Sequence, residues 1–532
     1  MKKIKFLKIF LSKAPAFVLA IAITIPAFSF NAFAYDLLTG SEYNAGIILD
    51  AEDMTIEAVE ESSEENIDKA ADADTEVASE PEKVYAYLVD ENDEPVKIGV
   101  YTVTYENKLY ISLRDLAAAL IGTKKQFNFE YSPEEGFLIT KGVPYVYPED
   151  KEETEEEESE GAENAEADAE PVTEAVTEES TEIPSETEPE TEPPTRPESV
   201  WLEDSVHILK VDGSTVKYYS FVIDNVEDVY VSMLNACQIL DINMEFEEDT
   251  IFIDTESSFT PDIEALNEDH YFDYLRGVFV GDATTGETLF AVNENTPAQI
   301  ASTTKLMTYT VLSLMAEKGD ISFDDTVTIS KKAADLSNSP NGVIYMYEGQ
   351  QVSFKDLVAA MLIRSSNEAA LALAEHAAGT ESEFVARMNR LAKILDMPSA
   401  VFYNPHGLPE YSSEVLSAAH ENTMSAEDMF KLVRYIFYAF PEITEYTSKR
   451  SLYLETLDTT VTNTNNLLYN MPDCIGLKTG TTDVALCCLV SAVPVQTNGK
   501  THIIVSIVFG ADYESDRFDV SELLLNWAKQ QY

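Results

Sequence analysis

Ala301-Ser302-Thr303-Thr304-Lys305 opens a run whose Leu306, Met307, Tyr309, Val311, Leu312, Leu314 and Met315 supply the apolar face of a strong helix. A serine and a lysine three positions apart on a helix lie about one turn apart on the same side. The lysine amine can then take the hydroxyl proton, provided that it is neutral. Burial and a second nearby cation are the two means of lowering its pKa. By itself the spacing is common, and Ser214-Thr215-Val216-Lys217 repeats it at what reads as a turn. The ordered set that follows carries more weight. Ser365-Ser366-Asn367 falls between helical runs over 354–363 and 368–378, although Ser339-Pro340-Asn341 fits the same short pattern. Lys478-Thr479-Gly480 occurs once, beginning an edge-like strand. A hairpin over 487–495 and 501–509 comes next, turned by Thr497-Asn498-Gly499, and an amphipathic helix over 520–530 closes the chain.

Ser-x-x-Lys, Ser-x-Asn and Lys-Thr-Gly in this order resemble the motif set of penicillin-binding proteins and serine β-lactamases. Within that superfamily, residues 263–532 resemble the low-molecular-weight D-alanyl-D-alanine carboxypeptidases of the peptidase S11 type. Asp282-Ala-Thr-Thr-Gly-Glu-Thr-Leu289, Phe402-Tyr-Asn-Pro-His-Gly-Leu408, Asn463-Thr-Asn-Asn-Leu467 and Gly476-Leu-Lys-Thr-Gly-Thr-Thr482 extend the likeness beyond the motifs. The resemblance implies an α/β domain, with an antiparallel sheet flanked by a helical cluster and Ser302 at their junction. It implies a serine hydrolase that removes the terminal D-alanine from peptidoglycan stem peptides, is acylated by β-lactams, and needs no metal or other cofactor.

Residue roles follow from chemistry and resemblance together. Ser302 is the expected nucleophile and Lys305 its general base. Ser365 is placed to relay a proton to the leaving amine, while Asn367 bonds Lys305 and the substrate amide. Lys478 helps to keep Lys305 neutral and, with Thr479, recognises the terminal carboxylate. Gly480 gives a substrate strand close access to the backbone. The N–H groups of Ser302 and Thr481 form the oxyanion hole. Arg517 matches a carboxylate-binding arginine of the family, with an exposed structural arginine as the alternative. His406 suggests a catalytic triad, but in this family it lies in a structural loop. Leu486 replaces the family's usual glycine, which is expected to crowd the cleft floor.

The rest of the chain is organised around charge. Its 532 residues carry 35 Lys+Arg against 96 Asp+Glu, a net charge of -61, which argues against nucleic acid and against adsorption to anionic lipid. Residues 50–83 hold 14 acidic and 2 basic side chains, and residues 149–199 hold 22 and 2, with few large apolar residues in either. Such stretches cannot offset chain entropy by burial. The Pro/Thr/Glu run over 171–197 is expected to be extended by self-repulsion, giving reach across a cell wall.

Before and between these tracts, residues 1–34 read as a signal peptide, 35–83 as an acidic segment, and 84–148 and 200–262 as two small β-rich modules joined by the 149–199 linker. Tyr110-Ile-Ser and Tyr230-Val-Ser are the clearest line of an internal repeat. The modules resemble the stalk-type unit named after the N-terminal domain of copper amine oxidases, although copper ligands are absent here. Wall contact or a plain spacer are the roles this implies. Cys237, Cys474, Cys487 and Cys488 are too few for a disulfide framework and read as buried free thiols. Export follows, to the cell wall or extracellular space, with an uncleaved N-terminal anchor as the alternative. The family's small C-terminal β domain and amphipathic anchor are not expected after Tyr532. Competing functions are a D,D-endopeptidase, a β-lactamase, disfavoured because no Glu-x-x-Leu-Asn lies between Asn367 and Lys478, and an inactive wall-binding stalk protein.

Overall fold

A computed structural model describes residues 82–89, 95–105, 108–132, 134–146, 205–223, 228–247, 250–268, 270–412 and 415–532. The expected signal peptide and nearly all of both acidic tracts lie outside them. The described chain divides into two compact units, one within 72–259 and one from residue 260 onward.

In the first unit each repeat supplies five strands and a helix. These are β1 (Glu82–Val89), β2 (Pro95–Tyr105), β3 (Lys108–Ser112), α1 (Leu113–Ala119), β4 (Phe127–Ser132) and β5 (Gly136–Lys141), then β6 (Ser205–Val211), β7 (Ser214–Ile223), β8 (Asp228–Ser232), α2 (Met233–Leu240), β9 (Asn243–Glu247) and β10 (Thr250–Asp254). The matched Tyr-x-Ser segments are strand ends that become helix caps. Ser112 Oγ accepts from Asp115 N at 3.0 Å, and Ser232 Oγ from Asn235 N at 3.2 Å.

The modules anticipated over 84–148 and 200–262 do not stand apart. All ten strands form one sheet, ordered β4-β5-β6-β7-β8-β3-β2-β1-β10-β9. The order reads the same from either end when one repeat is exchanged for the other. At its centre Tyr110 pairs with Ser232 and Ser112 with Tyr230, so the sequence repeat straddles a pseudo-two-fold axis. Each repeat's last hairpin joins the other repeat, through parallel pairs β5–β6 and β1–β10. A repeat this small would leave β1 and β3 with unpaired edges, and cross-pairing removes them. The shared core joins Leu113 and Leu116 of α1 to Ala236 and Ile239 of α2. Asp228 locks the halves further, accepting from Ser112 Oγ at 2.7 Å and Arg114 N at 3.2 Å.

The second unit has a five-stranded antiparallel sheet of β11 (Gly277–Asp282), β12 (Glu287–Val292), β13 (Leu477–Thr482), β14 (Leu486–Thr497) and β15 (Lys500–Ala511), in the order β12-β11-β15-β14-β13. Lys-Thr-Gly therefore does lie on an edge strand. The β14–β15 hairpin turns through Asn498 at φ 50° and Gly499 at φ 75°, the left-handed pair that a two-residue turn requires. Beside the sheet stands a helical cluster. Helix α3 (Lys305–Lys318) is buried at every position through Met315, and around it pack α4 (Phe354–Ile363), α5 (Asn367–Ala378) and α6 (Glu381–Ile394). Helix α7 (Ala426–Ala439) joins sheet to cluster, with Phe430 stacked on Phe279 of β11 at 4.6 Å. Helix α8 (Glu514–Lys529) packs on β14 and β15. It starts six residues earlier than its apolar pattern suggests, because acidic Glu514 and Asp516 favour a helix N-terminus. All four cysteines are free and buried.

Leu486 opens β14 at φ 57°, a left-handed conformation that suits glycine. Its departure from the family pattern is thus felt in the backbone. Leu486→Gly is expected to change stability little, since relief of about 1 kcal/mol of strain offsets a lost half-buried side chain. Leu486→Val, β-branched at a left-handed position, is expected to lower stability by about 1–2 kcal/mol. Denaturant unfolding of the full chain compares the two, and equal effects would refute the backbone account. Residues 82–146 expressed alone are expected to yield no folded monomer. Sedimentation with circular dichroism tests this, and a folded monomer would show that the cross-pairing is dispensable.

Candidate active site

Ser302 sits in a tight 3-10 turn, Ala301–Thr304, that runs directly into α3 at Lys305. The turn is strained at Ala301, where φ is 44°, and is clamped from two sides. On one side is the Asn404-Pro405-His406-Gly407 loop. A Cβ on Gly407 would lie 2.0 Å from the Ala301 carbonyl oxygen, so only glycine fits. On the other side is β13, where a Cβ on Gly480 would come within 2.9 Å of Ser302 N. Gly480 therefore makes room for the Ala301–Thr304 turn, a tighter constraint than the substrate access read from the sequence. Asn422 ties the clamp together, its Nδ2 donating to Thr304 Oγ1 at 3.0 Å and to Asn404 O at 2.9 Å. Thr308 Oγ1 donates to Pro405 O at 2.6 Å.

Lys305 is fully buried, with Nζ 2.7 Å from Ser302 Oγ, 2.8 Å from Asn367 Oδ1 and 2.6 Å from His406 O. Asn367 Nδ2 donates to Asn341 O at 2.9 Å, which fixes Oδ1 toward the lysine. Two of the three partners of Nζ, the amide and backbone oxygens, can only accept. In a neutral amine they use both N–H bonds, and the lone pair is left for the Ser302 hydroxyl. Burial holds the Lys305 pKa well below the usual lysine value, the charge of Lys478 lowers it further, and Glu368 opposes the shift.

Lys478 is also buried, and donates to Thr479 O at 2.9 Å. Its pKa is lowered to about 7, first by burial and then by Arg517. Thr479 Oγ1 lies 2.5 Å from Thr464 Oγ1. Arg517, only 2% exposed, donates through Nη1 to Thr481 Oγ1 at 2.7 Å and to Gly480 O at 3.1 Å, and pairs through Nη2 with Glu514. The arginine is therefore buried against the Lys-Thr-Gly strand. Arg517, Lys478 and Lys305 form a relay of cations in which each lowers the pKa of the next.

The remaining residues define the walls. Ser365 lies between α4 and α5 at φ 66°, half-buried, while its neighbour Ser366 caps α5 by accepting from Ala369 N at 3.1 Å. Nothing in the sequence announces the left-handed backbone at Ser365. Glu368 is the residue that sequence reasoning missed. Fully buried, it accepts from Val343 N at 3.1 Å and from Ile344 N, holding the loop whose Asn341 carbonyl fixes Asn367. An acid directly after Ser-x-Asn, in a helix whose neighbours are alanines and leucines, was the available signal. The His406 ring is pushed down to a pKa of about 3 by burial, Lys305 and Lys332, and its Nδ1 accepts from Leu408 N at 3.1 Å. Its backbone carbonyl, not its imidazole, reaches Lys305. No group of three or more His, Cys, Asp or Glu suited to a metal ion occurs among the described residues.

Residues 276–513 match the family model described as D-alanyl-D-alanine carboxypeptidase. The chain is 32% identical over 251 residues to D-alanyl-D-alanine carboxypeptidase DacF of Bacillus subtilis, covering 47% of this chain and 60% of that protein. It is 33% identical over 255 residues to D-alanyl-D-alanine carboxypeptidase DacD of Salmonella typhimurium, covering 47% and 62%. It thus spans about three-fifths of the length of these curated relatives. Among solved structures, penicillin-binding protein 6B of Escherichia coli aligns at 31% identity and a TM-score of 0.43, over 48% of this chain and 77% of that one. Penicillin-binding protein D2 of Listeria monocytogenes in its ampicillin-bound form aligns at 26% identity and a TM-score of 0.41, over 48% and 96%. Residues 276–513 are thus similar to the D-alanyl-D-alanine carboxypeptidases.

Proposed function

We propose that this protein is a serine-type D,D-carboxypeptidase that removes the terminal D-alanine from peptidoglycan stem peptides and is acylated by β-lactams. The observation that carries the proposal is Lys305 Nζ, buried and 2.7 Å from Ser302 Oγ, with two obligate acceptors on its other sides. Lys305 takes the Ser302 proton as Oγ attacks the carbonyl carbon of the penultimate D-alanine. The N–H groups of Ser302 and Thr481 receive the developing oxyanion. The C–N bond then breaks, Ser365 passes a proton to the leaving amine, and D-alanine departs. Water, deprotonated by Lys305, cleaves the acyl-enzyme. Lys478, Thr479 and Arg517 hold the terminal carboxylate, and Asn367 orients the substrate amide.

The first unit is read as a wall-contact or spacer module, resembling stalk-type units, and residues 1–34 as the signal that exports the enzyme. No helix among the described residues is long and apolar enough to cross a membrane.

Labelled penicillin is expected to attach covalently to the purified protein and not to Ser302→Ala. An unlabelled wild type would refute the reading. D-alanine release from a pentapeptide ranks it against endopeptidase and β-lactamase activities. Lys305→Met, without the base, is expected to slow acylation by about 10²–10⁴-fold.

The pH profile carries a sign. Only neutral Lys305 accepts a proton, so kcat/KM rises with pH through its lowered pKa. Only protonated Lys478 offers a cation, so kcat/KM for substrates with a free carboxylate falls as pH rises through about 7. Lys478→Gln removes a charge that depresses Lys305, so the acid limb should move to higher pH. An acid limb that does not move would show that Lys478 does not tune Lys305.

A further inference from the structure

Arg517 already holds a carboxylate. Glu514, three residues earlier on the first turn of α8, pairs with its Nη2. The two side chains differ sharply in setting, with the arginine buried and the glutamate side chain 65% exposed. Nη1 is committed to Gly480 O and Thr481 Oγ1. Nε, on the same edge of the guanidinium as Nη2, is buried without a hydrogen-bond partner. Glu514 therefore holds the cation through one nitrogen of an edge that can grip a carboxylate with two. A solvated acid on one bond leaves readily, and its departure bares a buried cation beside Thr481.

We infer that Glu514 is a positioning and specificity residue, a built-in carboxylate that occupies Arg517 in the resting enzyme and is exchanged for the terminal carboxylate of the substrate. The inference rests on the proposed function, which gives Arg517 that ligand. Glu514 balances the charge of a buried guanidinium when the cleft is empty, and sets a threshold that an incoming anion must exceed. Ligands without a carboxylate have nothing to exchange and gain nothing from its removal.

The test compares second-order acylation of the full-length protein by benzylpenicillin and by its methyl ester, in wild type, Glu514→Gln and Glu514→Asp. Glu514→Gln is expected to raise the rate with benzylpenicillin about three- to fivefold, the scale of an ion pair with one exposed member. The rate with the ester should not change. For D-alanine release from a pentapeptide, KM should fall by a similar factor with kcat unchanged, and Glu514→Asp should stay near wild type. Unchanged rates with benzylpenicillin, or equal losses with both ligands, would overturn the inference and leave a plain helix-terminal ion pair. Failure of wild type to react with either ligand would instead remove the proposed function on which it stands.

Discussion

A lysine buried with its amine 2.7 Å from a serine hydroxyl is the constraint around which the second unit is arranged. Leaving an ammonium in an apolar interior is costly, so the group sheds its proton unless it is matched by an opposite charge. Here one of the two charges acting on Lys305 is another cation. Lys478 presses on Lys305, and Arg517 presses on Lys478. Glu368 is a counterweight, and its carboxylate is engaged with the backbone of Val343 and Ile344. The elements of the unit can be read as devices for holding this arrangement. Helix α3 buries the lysine, α5 brings Asn367, the 404–407 loop offers a carbonyl, and β13 delivers the second cation.

The same constraint explains why the Ala301–Thr304 turn is gripped so closely. A proton passes between two heavy atoms only if they stay within hydrogen-bond distance, and small misplacements are expensive. Gly407 and Gly480 bring backbone against the turn from both sides, at contacts no side chain would permit. Strain at Ala301 is thus held in place by packing on either flank.

Much of this was legible in the sequence. The order of the three motifs located the domain, helix 354–363 appears over the same residues, and Thr497-Asn498-Gly499 announced a turn that the structure forms with two left-handed residues. Less legible was anything that depends on which distant segment approaches. The left-handed backbone at Ser365 and Leu486 has no local signature, since neither residue is a glycine or asparagine. Glu368 reads as an ordinary helix residue until the 341–344 loop is seen to lie over it. The internal repeat was visible in Tyr110-Ile-Ser and Tyr230-Val-Ser, but a repeat cannot say whether its hairpins close on their own copy or on the other one.

That exchange of hairpins sets the boundary conditions for the most acidic part of the chain. Strands β5 and β6, which flank residues 142–204, are neighbours and parallel in a single sheet. Whatever lies between them must return along the length of one strand, on the order of 20–25 Å. Both ends of the tract are thereby anchored to neighbouring strands of the same unit. Its length enters the folding balance only logarithmically, each doubling costing about 0.6 kcal/mol. A segment under so weak a penalty can gain or lose dozens of residues while the sheet around it stays intact, which leaves composition rather than length as the property free to be selected.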